Sequence, residues 1–287
     1  MEAALQRPRR VRTPYLLLLP GGAWLLVFYL VPTITMLSVS LQEGSLERGF
    51  QLTWHWQTFT DVVGNYSPQF IRSIEYGLIV TALCLLVGYP LAYAIAFRGG
   101  RWKNALLFLV ILPFFVSFVI RTLSWKFILA DEGFVLGPLK HAGIVSSGFR
   151  FLATPGAVIG GLAYNFLPFM VLPLYVSLEK LDKSLLEAAE DLYSSKFTSF
   201  RKVTLPLSMP GIFAGSLLTF IPVVGDFVNA SLLGGVNTTM IGNVIQREFL
   251  VNNAYPVAAA LSFVLMIGML VGITVYARIL GTEELTG

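Results

Sequence analysis

Stretches free of Asp, Glu, Lys and Arg recur along this chain at 13–42, 76–97, 104–120, 151–178, 203–225 and 249–277. A bilayer core of about 30 Å takes roughly 20 apolar residues per helix, so each stretch reads as one crossing. Pro, Gly and Asn residues mark where the helices end. The pattern predicts an all-α transmembrane domain over 1–287, with spans near 14–38, 73–97, 105–127, 155–178, 207–229 and 256–279. The third span is interrupted by Arg121 and Lys126. A long loop covers 41–72, and a Gly-rich loop covers 128–154. Residues 230–255 are too polar at their start to span and too apolar for a free linker, which predicts a short helix against the outer surface.

Composition agrees with this pattern. Charged residues make up 13% of the 287 and hydrophobic residues 55%, against about 25% charged in an average soluble domain. Mean hydropathy is +0.73. The 20 Lys and Arg fall mostly at 7–12, 98–103, 180–202 and 278, and the positive-inside rule then places both termini and the 179–206 loop in the cytoplasm. The basic start followed by YLLLLPGGAWLLVFYLV is too long an apolar run for a cleaved signal, so it is expected to stay as the first span. The net charge of +4 is accounted for by these inner segments and implies no nucleic acid. Cys84 is the sole cysteine, and His55 and His141 lie far apart in loops, which leaves no disulfide framework and no expected metal site. No phosphate-binding Gly-x-x-x-x-Gly-Lys sequence and no internal repeat occurs.

The informative loop is EAAEDLYSSKFTSFRKVTLP, at 187–206 between the fourth and fifth spans. Ser184 and Glu187 have capping-box spacing and predict a helix start at 184. Leu181, Leu185, Ala188 and Leu192 then recur at helical spacing and form one apolar stripe. A second short helix is predicted at 196–202, where Phe197 and Phe200 are three apart, with Pro206 ending it. A solvated connector would carry the same features.

Glu187, Ala188, Ala189, Val203, Leu205 and Pro206 resemble, in order and spacing, the EAA loop of bacterial ABC importer permeases. The resemblance implies a six-helix type I (MetI-like) fold in the bacterial cytoplasmic membrane, with the loop as a coupling helix gripping a separate ATPase. It implies coupling roles for Glu187, Ala188, Ala189, Leu192, Tyr193, Phe200, Leu205 and Pro206. Tyr193 stands where the family usually has Gly, and a bulky residue at a positive-φ turn is strained by about 1–2 kcal/mol. No cofactor of its own is expected, since ATP is bound by the partner. From 187 to 262 the chain is also similar to polyamine (spermidine/putrescine) importer permeases, in LPLSMPGIFAG, LLGG, MIGNVI and Tyr255-Pro256. That similarity implies a second homologous permease, an ATPase dimer, an extracytoplasmic binding protein and a surrounding bilayer. Permeases for other small solutes share parts of these marks, and an ion-coupled secondary transporter is the alternative of another class.

Ionisable groups inside spans usually serve function or pair with one another. At about 1.5 Å rise per residue, Asp226 is expected near 29 Å along the fifth helix and Arg121 near 24 Å along the third. Glu75 falls at a similar level. These residues, with Trp125 and Tyr76, are the candidate lining of a cation pathway, and snorkelling or mutual pairing is the plainer reading.

Overall fold

The computed structural model describes residues 12–182, 184–185 and 195–280. Helix α1 runs Arg12–Leu25, passes a π turn at Leu26–Leu30 and ends as Val31–Ser40. Its apolar window, within Leu17–Ser40, is wholly unburied, and only its last part packs on another helix. A short antiparallel hairpin follows, β1 (Gln42–Ser45) with β2 (Gly49–Leu52), in register Gln42 to Leu52. This hairpin is a local departure from an all-helical expectation.

Helix α2, Gln57–Tyr93, continues through a π turn to Arg98. It begins well before the predicted 73, so much of the expected 41–72 loop is helix. Tyr66, Phe59 and Phe70 explain the extension, because they pack on a second, smaller core built by Val62, Ile241, Val244, Ala260 and Leu261. Burial against neighbouring helices stabilises a segment that hydropathy alone reads as loop.

The predicted third span is broken. Helix α3 (Lys103–Ile111) runs into a tight turn at Leu112–Phe115, and α4 (Phe118–Ile128) leaves it at 92°. Pro113 lacks the N–H to continue the ladder, and Val116 and Ser117 adopt extended ψ values of 138° and 136°. A short helix α5 (Leu136–His141) crosses the following loop.

Helix α6, Pro155–Glu179, covers the stretch read as the fourth span and is the central post. Thr154 caps it by accepting from the Ala157 N–H at 3.3 Å, with Pro155 in its first turn. Met170, Val171, Leu174 and Leu178 of α6 are fully buried against α2 and the fifth span. That span is also bent. Helix α7 starts at Lys196–Ser199, continues through a π turn and reaches Leu207, and α8 (Met209–Val224) departs at 63°. The bend falls at Ser208, beyond the predicted stop at Pro206.

The chain breaks again at Gly225–Phe227 before α9 (Val228–Leu233), so the predicted span 207–229 is not one rod. Helix α10 (Ile241–Leu250) is the expected short helix, and it packs on α2 and α11 (Tyr255–Leu280). Among the described residues, four helices are long and apolar enough to cross a membrane, or up to six when each bent pair is one span.

Candidate functional site

The break between α8 and α9 carries a buried polar network. Pro222 and Gly225 weaken the end of α8, and the Asp226 side chain takes over hydrogen bonding where the ladder stops. Asp226 Oδ1 accepts the Asn229 backbone N–H at 2.8 Å, a free donor at the start of α9, and Oδ2 accepts Asn229 Nδ2 at 3.2 Å. Asn229 Oδ1 in turn accepts from Asn165 Nδ2 of α6 at 3.0 Å and from the Thr122 hydroxyl of α4 at 3.3 Å. Asn165 Nδ2 also donates to Thr122 Oγ1 at 3.1 Å. Asp226 is 7% exposed, Asn165 1% and Asn229 and Thr122 0%. Three separate elements are thus joined by side chains in a region where few other polar groups compete. The start of α10 braces the break from outside, because Asn243 Nδ2 donates to Phe227 O at 2.8 Å.

Asp226 is therefore neither mid-helix nor paired with Arg121. Counting rise along straight helices fails for both residues, since the third and fifth spans bend. Arg121 is 7% exposed, and its Nε and Nη1 have no hydrogen-bond partner. No ion pair among the described residues joins it to Asp226 or Glu75, nor does it snorkel to an exposed surface. Its guanidinium lies over the rings of Phe114 at 5.3 Å and Phe118 at 5.6 Å. Trp125, one turn further along α4, meets Tyr164 of α6 edge-on at 5.3 Å.

Glu75 and Tyr76 do not line one surface together. Consecutive residues of a helix point in different directions, and here Tyr76 enters the core while Glu75 is exposed. Gly77 beside them lets α2 approach the end of α8, since a Cβ there would stand 2.6 Å from Val224 Cγ2.

At the other end of the bundle, the second half of the predicted coupling loop is tied to α2. Phe200 meets Tyr89 edge-on at 5.6 Å and Tyr93 at 6.5 Å. Ser208, at the bend, is hydrogen-bonded to Tyr89 at 2.8 Å, and both are buried. Ser208 Oγ also donates to Leu205 O at 2.9 Å, so its proton is used and Tyr89 is the donor of the pair. Leu205 packs against the core, whereas Pro206 is exposed. Phe197 is 73% exposed and, with Thr198, Arg201 and Lys202, lines a shallow cavity of about 490 Å³. Glu187, Ala188, Ala189, Leu192 and Tyr193 lie outside the described residues.

Just before them, the Glu187 half of the predicted capping box also lies outside the described residues, and the Ser184 half meets a different acid. Asp182 Oδ1 accepts the Ser184 N–H at 2.9 Å, the donor expected to meet Glu187. This bond holds the Asp182 carboxyl below its ordinary range. A groove of about 700 Å³ runs along α6 and α8 from Phe169 and Leu218 to Lys180 and Leu181. Among the described residues, no group of His, Cys, Asp or Glu is placed to hold a metal ion.

Thr122, Asn165, Asn229, Tyr89 and Ser208 were not singled out by sequence. A signal existed for two of them. Asn165 is an amide inside an apolar stretch and Asn229 adjoins Asp226, but neither carries the charge that marks Asp226 and Arg121.

Residues 85–280 match the family model described as "Binding-protein-dependent transport system inner membrane component". The chain belongs to this family of ABC importer permeases. The matched region contains α6, both bent spans and the polar network. Among relatives of the permease, the "Spermidine/putrescine transport system permease protein PotB" of Haemophilus influenzae is 41% identical over 259 residues, covering 89% of this chain and 90% of that protein. The protein of the same description in Escherichia coli K12 is 38% identical over 256 residues, covering 89% and 93%. The "Inner membrane ABC transporter permease protein YdcU" of Escherichia coli K12 is 30% identical, covering 77% and 80%. A chain in the crystal structure of a bacterial ABC transporter that imports the acidic polysaccharide alginate superposes with a TM-score of 0.71 at 22% identity, covering 94% of this chain and 96% of that one. That likeness concerns the fold. As a member of this family, the chain is a transport subunit of the inner membrane, without a catalytic centre of its own.

Proposed function

We propose that this permease is the first of two membrane subunits of an ATP-driven importer for polyamines of the spermidine/putrescine class. The observation that carries the reading is identity of 38–41% across nearly the whole chain to permeases described by that substrate. The complex contains a second homologous permease, two copies of an ATPase and an extracytoplasmic binding protein. Both termini and the 179–206 loop face the cytoplasm, where the loop docks on the ATPase.

Two features support this arrangement. Phe200 and Ser208 tie the second half of the loop to α2, so force applied there reaches the helix bundle. Phe197, Arg201 and Lys202 stay exposed beside it, offering an apolar and basic contact to a partner groove.

The test is uptake of labelled spermidine into liposomes holding the assembled complex. Uptake requires both ATP and the binding protein; Glu187→Arg abolishes uptake while ATP hydrolysis continues, and Tyr193→Gly retains transport. Uptake driven by an ion gradient without ATP, or no spermidine uptake at all, overturns the reading.

A further inference from the structure

We propose that the aromatic wall between α4 and α6 is a binding track for organic ammonium groups, and that Arg121 is the resident cation that fills it until substrate arrives. The proposal deepens the proposed function and rests on the solute being a polyamine.

A guanidinium remains charged in any protein setting, so the surroundings of Arg121 already hold a buried cation without an anion beside it. They do so with ring faces. Phe114 and Phe118 lie 5.3 and 5.6 Å from the guanidinium carbon, while Nε and Nη1 make no hydrogen bond. Aromatic faces carry negative charge density and attract Lys, Arg and ligand cations alike. Such a place holds any ammonium group of suitable access.

The wall also has the shape of a path. Phe118 meets Phe166 at 5.9 Å, Phe166 meets Phe169 at 5.9 Å, and Phe169 meets Phe114 at 5.1 Å. One turn beyond Arg121 on α4, Trp125 forms a second aromatic pair with Tyr164 of α6 at 5.3 Å. The row and the pair are open at their edges, where Phe114 is 37% and Tyr164 38% exposed. Phe169 belongs at the same time to the groove of about 700 Å³ that runs along α6 and α8 to Lys180. A row of weak sites leading into a groove meets the requirement for conduction, in which a solute binds well enough to enter and loosely enough to leave.

Asp226 offers no free acceptor to a visiting cation, because both its oxygens are engaged by Asn229. The ring faces are therefore the open partners for a visiting cation. When a substrate ammonium replaces the guanidinium over Phe114 and Phe118, the number of buried charges at the rings is unchanged. That exchange avoids placing a second uncompensated cation in the span.

The experiment measures equilibrium binding of labelled spermidine to the assembled complex in lipid nanodiscs, without the binding protein. Arg121→Met removes the resident cation and keeps an unbranched side chain, and binding tightens by about threefold or more, the scale of one cation–π contact. Arg121→Lys keeps a competitor and binds as the wild type does. Trp125→Leu, which leaves the rings around Arg121 in place, weakens binding by about threefold. Arg121→Met binding no tighter than wild type overturns the proposal. If Arg121→Met fails to assemble, unchanged binding by Trp125→Leu overturns it instead. If the wild-type complex with its binding protein imports no spermidine under ATP, the proposed function has failed; if it imports spermidine and the variants bind alike, only the track has failed.

Discussion

Replacing Asn229 with Ala tests whether the break between α8 and α9 is held by side chains. The Asn229 side chain makes three hydrogen bonds, to Asp226, Asn165 and Thr122, all in buried surroundings. Their loss is unequal. Asp226 retains the Asn229 backbone N–H, and Thr122 retains Phe118 O at 3.1 Å, but Asn165 already has an unpartnered Oδ1 and keeps only Thr122. Hydrogen bonds between helices in membranes average about 0.6 kcal/mol and reach about 1.7, and Thr122 shares its one proton between Phe118 O and Asn229, so the loss is about 1–2 kcal/mol. The void left by the amide adds to this figure. Reversible unfolding of the purified permease in mixed micelles reads the change directly, with Ser124→Ala on the exposed side of α4 as the control within about 0.5 kcal/mol. Asn165→Ala combined with Asn229→Ala is less destabilising than the two singles added, because they share one bond. Asn229→Ala within about 0.5 kcal/mol of wild type, or strict additivity with Asn165→Ala, would refute the network as a structural tie.

Three further outcomes follow from the geometry. Gly242→Ala drives a Cβ into the backbone oxygens of Gly225 and Asp226, so α10 shifts off the break and stability falls by about 1–3 kcal/mol in the same unfolding assay. Tyr89→Phe removes the donor to Ser208 and costs about 0.6–1.7 kcal/mol, and spermidine imported per ATP hydrolysed drops while ATPase stimulation persists; an unchanged ratio removes Tyr89 from the transmission route. Asp182→Ala speeds hydrogen exchange at Ser184 and Leu185. Because the folded carboxyl titrates below its ordinary range, the cap is present above the unfolded pKa and is lost as pH falls through the folded one, so wild type and variant converge in acid.

The placement of α1, α6 and α11 was legible in the sequence because each is an apolar run of bilayer length, and water exclusion acts on such a run whatever its neighbours. Pro155 and Thr154 likewise fix the start of α6 by local chemistry alone. Family membership was legible in the spacing of the EAA-like loop, which depends on order along the chain. The site was only half legible. Asp226 and Arg121 stood out as charges, yet their surroundings did not, because the spans that carry them bend.

Tertiary structure alone decided those bends and what they bring together. Pro113 marks a weak point in the third span, but a 92° turn is set by where α4 can pack on α6 and α9. Likewise Ser208, and not Pro206, became the bend of the fifth span because Tyr89 of α2 reaches it. Thr122, Asn165 and Asn229 are distant in sequence and meet because the mutual packing of α4, α6 and α9 brings them together. Hydropathy acts residue by residue and is written in the chain. A polar contact between helices depends on rotation and bend, which exist only once the helices have packed.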